Sequence, residues 1–258
     1  MKTLAGFVFA LLPFAALAAG PFDGKWKTQL DTLQYSARPD AYELKDGVYT
    51  CSTCVPPISV KADGSDQPVA GHSYYDTMAV KQVDAHSVQV DSKLQGKLIF
   101  SSTVTASADG NTLSSHFRDM SGTQEVTGTF VEKRVSAGAI GAHAISGKWQ
   151  AEKLPEFSDL GATIAYRMTG DGLQMEWNGQ SYDAKFDGKQ VLTKNDPGKT
   201  MVSLKRISDH VIEETDTRDG KVTDITLMTV SADGASMTVV DKDMINDMTT
   251  SFVMKKLP

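Results

Sequence analysis

The sequence is short of cysteine, of clustered positive charge and of long apolar runs, and each shortage removes a class of protein. It holds two cysteines, Cys51 and Cys54. Zinc would need two further ligands, and the five histidines are scattered without recognisable ligand spacing, so no metal and no cofactor is expected. Lys and Arg total 26 against 32 Asp and Glu, a formal charge of −6, with no basic block anywhere. Nucleic-acid binding therefore lacks its electrostatic footprint. No nucleophile elbow, zincin helix or phosphate loop is present, and nothing positive points to an enzyme. No segment keeps an amphipathic helical pattern over a dozen residues, so helix should be minor.

The one sustained apolar run, Leu4 to Leu17, follows Lys2 and ends in the small-x-small pattern Ala16-Leu17-Ala18. It is shorter than the roughly 20 residues that span a bilayer. It reads as a signal peptide over residues 1–18, cleaved near Ala18, and no stable membrane anchor is expected. The protein should then be periplasmic or secreted.

Beyond that segment the chain repeats itself. Gly24-Lys25-Trp26 recurs as Gly147-Lys148-Trp149, a shift of 123. Val80-Lys81-Gln82-Val83 meets Leu204-Lys205-Arg206-Ile207, and Ser107-Ala108-Asp109-Gly110 meets Ser231-Ala232-Asp233-Gly234, both at 124. Near the ends, Phe130-Val131-Glu132-Lys133-Arg134 meets Phe252-Val253-Met254-Lys255-Lys256 at 122. A period this long makes each copy a complete module with its own core. The expected domains are residues 20–135 and 146–258. The stretch between them, 136–145, is free of charged residues and, with Ile140 and Ile145, is expected to lie against a module.

Both copies read as β. Val, Ile, Thr, Tyr and Phe alternate with polar residues in short runs separated by Asp-Gly pairs, which supply the positive φ of tight hairpin turns. The turn spacing predicts an antiparallel meander of about eight strands per copy. Closure into an up-and-down barrel removes exposed edges. The same strands could instead form a two-sheet sandwich in each copy.

The G-x-W that opens each copy, with a basic residue on the last strand, resembles the pattern of the lipocalin and fatty-acid-binding (calycin) superfamily. The resemblance implies a barrel whose Trp closes one end, with the late cation lying over its ring. The counterparts within each copy are Trp26 with Arg134, and Trp149 with Lys255 or Lys256. Over its length the chain also resembles a group of exported bacterial proteins of unknown function. They share the G-x-W-K start and motifs such as Val202-Ser203-Leu204-Lys205-Arg206-Ile207 and Ser231-Ala232-Asp233-Gly234. That likeness supports export and a lipocalin-like architecture and brings no activity with it.

Cys51-Ser52-Thr53-Cys54 belongs to the first copy alone. In an exported chain it reads first as a structural disulfide stapling a β turn, with a redox pair and a metal site as the alternatives. His86 and His210 occupy equivalent places and read as turn residues that tolerate the left-handed region. Ser208, Asp209 and His210 cannot form a triad, because sequence neighbours project in different directions. Asp241, Asp243 and Asp247 hint at a calcium loop but lack its Gly and terminal Glu.

These features describe a non-enzymatic exported protein of two lipocalin-like barrels that binds a small apolar ligand. A structural or interaction role in the cell envelope, with filled barrels, and a redox role at the CxxC pair are the rivals. Protein partners are not legible.

Overall fold

The computed structural model describes residues 20–35 and 38–258; the signal segment 1–18 lies outside these residues. In chain order the strands begin with β1 (Gly24–Tyr35), β2 (Asp40–Lys45), β3 (Val48–Cys51), β4 (Ile58–Lys61) and β5 (Gln67–Pro68). Next come β6 (Thr77–Gln82), β7 (Ser87–Leu94), β8 (Lys97–Ala106), β9 (Thr112–Asp119) and β10 (Val126–Ala137). The second half opens with β11 (Gly147–Phe157), the short helix α1 (Asp159–Ala162), β12 (Thr163–Thr169), β13 (Gly172–Trp177), β14 (Gln180–Lys185) and β15 (Val191–Leu192). It ends with β16 (Met201–Ser208), β17 (Val211–Arg218), β18 (Lys221–Val230), β19 (Ser236–Asp243) and β20 (Met248–Lys256).

Among the described residues these strands form two antiparallel sheets of ten, each nearly closed into a barrel. The bridges Asp63↔Lys81 and Ser181↔Lys194 help to draw the ends of each sheet together. The count exceeds the expected eight because each meander includes short pieces, such as β5 and β15, before its long strands. The Asp-Gly expectation is met in detail at Asp46-Gly47 and Asp219-Gly220, where both residues have positive φ, as two-residue hairpins require.

The sheets do not follow the repeat boundaries. One is ordered β4-β3-β2-β11-β10-β9-β8-β7-β6-β5 and the other β14-β13-β12-β1-β20-β19-β18-β17-β16-β15. The copies have exchanged their first strands. The spans 20–135 and 146–258 are units of sequence, while each barrel takes its G-x-W strand from the other copy. The physical reason is local. Only residues 138–146 separate β10 from β11, so these strands close a hairpin at small loop-entropy cost and β1 is left to pair with β20. We call the β2–β11 sheet the first barrel and the β1, β12–β20 sheet the second.

The connecting stretch does more than link. Ile145 is buried and plugs the base of the first barrel, while Ile140 stands 97% exposed. His143 N–H donates to the Leu44 carbonyl, fastening the stretch to β2. The expectation that it packs on a module thus holds for Ile145 and fails for Ile140.

The end of each barrel away from its G-x-W faces the other barrel. The Met120–Glu125 turn of the first barrel meets the Asn178–Gly179 turn of the second. There Thr123 N–H donates to the Asn178 carbonyl, Gln124 N–H to Asn178 Oδ1, and Asn178 Nδ2 to the Gln124 carbonyl. Nearby, Tyr74 packs on Gly198 and under the Arg218 guanidinium, 5.0 Å from its ring centre. At Gly122 and Gly198 a Cβ would run into Asn178 and Tyr74, so the close approach requires glycine.

The exchange predicts how fragments behave. Residues 38–157 should fold alone, with a cooperative thermal transition by circular dichroism, because they contain a complete sheet. Residues 20–135, bounded by the repeat, should stay unfolded. A cooperative monomeric transition in the second fragment would contradict the exchange.

Candidate functional site

Each barrel is sealed at its base by the same device. Trp149 and Trp26 are fully buried, and their indole N–H groups donate to the carbonyl four residues back, Ile145 O at 2.8 Å and Phe22 O at 2.9 Å. Phe22 and Ile145 are themselves buried beneath the rings. The Arg134 guanidinium lies 3.9 Å over Trp149, and Lys256 Nζ lies 5.2 Å over Trp26. The cations therefore cover the opposite tryptophans from those expected within each copy. The strand exchange is the cause, since Arg134 pairs in register with Trp149, and Trp26 with Lys256. Arg134 also donates to the carbonyls of Gly110, Ser146 and Ala144, one bond from each of its three nitrogens, which closes the base. The apolar residue four places before each Trp was visible in the sequence and would have marked the plug.

Cys51 and Cys54 are joined in a disulfide across the turn that follows β3. Cys51 is buried, and among the described residues no helix adjoins the pair to supply the N-terminus that lowers a redox thiol's pKa. The bridge stands where the second barrel has its β13–β14 hairpin, at the end facing the other barrel. His86 and His210 do lie in turns, though not for the expected reason. Neither has positive φ; the Asp84 carboxylate and the Ser208 hydroxyl accept their backbone N–H groups instead. Asp243 likewise caps its own turn, accepting from Ile245 and Asn246 N–H.

Above the sealed bases the lumens differ. In the first barrel a cavity of about 190 Å³ is walled by Tyr42, Tyr49, Phe100, Phe117 and Phe130. It shares Tyr42, Tyr49 and Phe100 with a cleft of about 560 Å³ that opens between the barrels, where Trp177 and Gln180 of the second barrel complete the wall. Phe117 stacks on Phe100 at 5.8 Å and on Phe130 at 5.1 Å between ring centres. Phe130 shares its face with Ser115, which also lines the cavity, yet it is 39% exposed. An inward aromatic with that exposure means that the lumen is open to solvent.

Strand register allows the second lumen to be compared position by position. Where the first has Val90, Ser92, Phe100 and Phe117, the second has Glu214, Asp216, Asp224 and Asp241. Glu214 accepts a 2.5 Å hydrogen bond from Tyr182, Asp241 accepts from Thr226, and Arg218 contacts Asp224 at 3.3 Å. Asp216 Oδ1 is shut from solvent without a partner. Burial, reinforced by neighbouring carboxylates, raises the pKa of both Glu214 and Asp216. A cavity of about 400 Å³ lies against Glu214 and Asp241, with Tyr166, Trp177 and Phe252 as its aromatic wall. Trp177 borders both this cavity and the cleft of the first barrel.

The first lumen holds one deeply buried acid. Glu132, 7% exposed, stands on β10 between inward-facing Phe130 and Arg134, with Leu113 as its cross-strand neighbour. Desolvation, with the Asp40 carboxylate adding to it, pushes its pKa up to about 7. Its carboxylate makes no hydrogen bond among the described residues. Sequence reading passed it over, although alternation along Phe130-x-Glu132-x-Arg134 places all three on one face.

A raised folded-state pKa makes a carboxyl group favour folding below its unfolded value, near 4.3, and lose that contribution as pH rises through its folded value. Glu132→Gln should therefore leave stability unchanged near pH 4.5 and raise it by about 1–3 kcal/mol near pH 8. Urea denaturation of both proteins at the two pH values measures this. Destabilisation of the variant at the higher pH would mean that Glu132 has a stabilising cationic partner.

Among the described residues no group of His, Cys, Asp and Glu is arranged to hold a metal ion. Comparison with protein-family models, with curated proteins and with solved structures finds no match for this chain, so the functional reading rests on the chemistry of the lumens.

Proposed function

We propose that the protein is an exported binding protein whose first barrel takes up a small, largely apolar ligand. The observation that carries the reading is Phe130, inward-facing but 39% exposed, in a lumen walled by stacked aromatic rings. Ordinary packing would bury such a ring, and interiors are normally as dense as organic crystals. Apolar space with few polar groups, in the range of roughly 300–1,000 Å³, is the usual form of a small-molecule site. The cleft falls inside that range at about 560 Å³.

A lipocalin-like relationship fits the two tryptophan seals, and export fits the N-terminal segment and the disulfide. A purely structural envelope role with filled barrels is less well supported, because the first lumen is not filled. The CxxC pair serves this reading as a staple at the mouth of the first barrel.

The neutral dye N-phenyl-1-naphthylamine should give a saturable fluorescence rise with one site per chain. Val90→Trp, which fills the lumen, should reduce that affinity at least about tenfold while the protein stays folded by circular dichroism. A linear, unsaturable response, or a variant that binds like the parent, would sink the proposal.

A further inference from the structure

Glu132 limits what the ligand can be. Four observations converge on it. Its side chain is more than nine-tenths buried, faces the first lumen and has no hydrogen-bond partner among the described residues. Among the described residues the cation two residues along, Arg134, forms no ion pair with it. That guanidinium lies on Trp149 and donates to three backbone carbonyls.

Among the described residues the remaining charged and titratable groups around Glu132 are Asp40 and Tyr42 on β2 and Tyr49 on β3. Glu132 lies on the same face of β10 as Phe130, which walls the inner cavity, one pleat nearer the sealed base. Arg38 acts on Asp40 but is exposed and donates to the Thr53 carbonyl. Among the described residues the floor of the lumen thus has two carboxyl groups, neither of them in an ion pair.

The approach to it is acidic as well. Asp119 is the charged residue that lines the cleft, and Arg218, over Tyr74 of the cleft wall, is paired with Asp224. A ligand bearing a carboxylate would meet an acid at the mouth, Asp119, and at the floor, Glu132 and Asp40. A buried, unpaired carboxylate is costly, and an incoming cation that pairs with it relieves that cost.

We infer that the ligand of the first barrel is an apolar amine, its hydrocarbon or aromatic body held among Tyr42, Tyr49, Phe100 and Phe130 and its ammonium group paired with Glu132. The inference rests on the reading of the first lumen as a ligand site and adds the charge of the ligand to it. A protonated amine both donates hydrogen bonds and supplies the missing positive charge, which an alcohol does only in part.

Three probes of one chain length separate the possibilities: dodecylamine, dodecanol and dodecanoate, titrated into the purified protein below their aggregation limits and followed by tryptophan fluorescence. Near pH 8 dodecylamine should bind at least about tenfold more tightly than dodecanol, with dodecanoate weakest. Near pH 5, where Glu132 is protonated and the amine is still charged, the advantage over the alcohol should shrink to less than about threefold. Glu132→Gln should show the same small ratio at the higher pH.

Dodecanoate binding as tightly as dodecylamine, or a Glu132→Gln protein that keeps the parent's amine preference, would overturn the inference. Equal binding of amine and alcohol by the parent at both pH values would also overturn it, while leaving the apolar lumen reading intact. Failure of all three probes to saturate would overturn both. The pH comparison needs no variant, so a poorly folding substitution does not protect the idea.

Discussion

The pairing of β10 with β11 governs the rest of the molecule. With only residues 138–146 between them, the last strand of one copy and the first strand of the next form a hairpin, and that pairing consumes the edge where β1 would otherwise close its own module. β1 is driven to β20, at the far end of the sequence. In its own barrel each G-x-W strand runs from the sealed base to the open end, and the chain then continues into the other barrel. The two crossings therefore hold the open ends against each other. Small residues at Gly122 and Gly198 and the reciprocal hydrogen bonds around Asn178 are adaptations to that closeness.

Against this shared frame the lumens have diverged. The bases are the same in kind: a buried Trp, an apolar plug four residues before it, an indole hydrogen bond to the plug and a cation above the ring. The walls are not. One interior is aromatic with a glutamate that, among the described residues, is unpaired; the other has carboxyl groups at four positions equivalent to Val90, Ser92, Phe100 and Phe117. Sealing is a requirement of the fold and is common to both copies. Wall chemistry is free to vary, and variation there while the frame is held constant is what separate ligand environments would produce. The disulfide falls on the variable side as well, stapling a turn at the open end of the first barrel only.

Much of the frame was legible in the sequence because it is local. Asp-Gly pairs dictate hairpins through positive φ, and alternation dictates strands. Recurrence of the Trp motif and of the terminal basic residues dictates a duplicated, sealed module. Which Trp meets which cation was not legible. Both copies have the same strand-pairing potential, so an internal alignment is symmetric under exchange of β1 and β11, and only the length of the connection breaks that symmetry. The turn role of His86 and His210 was readable, but its mechanism lies in Asp84 and Ser208 rather than in left-handed backbone. Glu132 was readable in principle from its place two residues before Arg134. Its importance comes from what Arg134 does with its donors, and those acceptors are distant backbone carbonyls that no residue pattern reveals.

The placement of the open ends, and with it the shared cleft, depends on the strand exchange, so contacts across the two seals test the account most directly. Nuclear Overhauser effects from the Trp149 indole should reach the Arg134 side chain, and those from the Trp26 indole should reach Lys256. Contacts from Trp26 to Arg134 and from Trp149 to Lys256 would show that each copy closes on itself and would contradict the account.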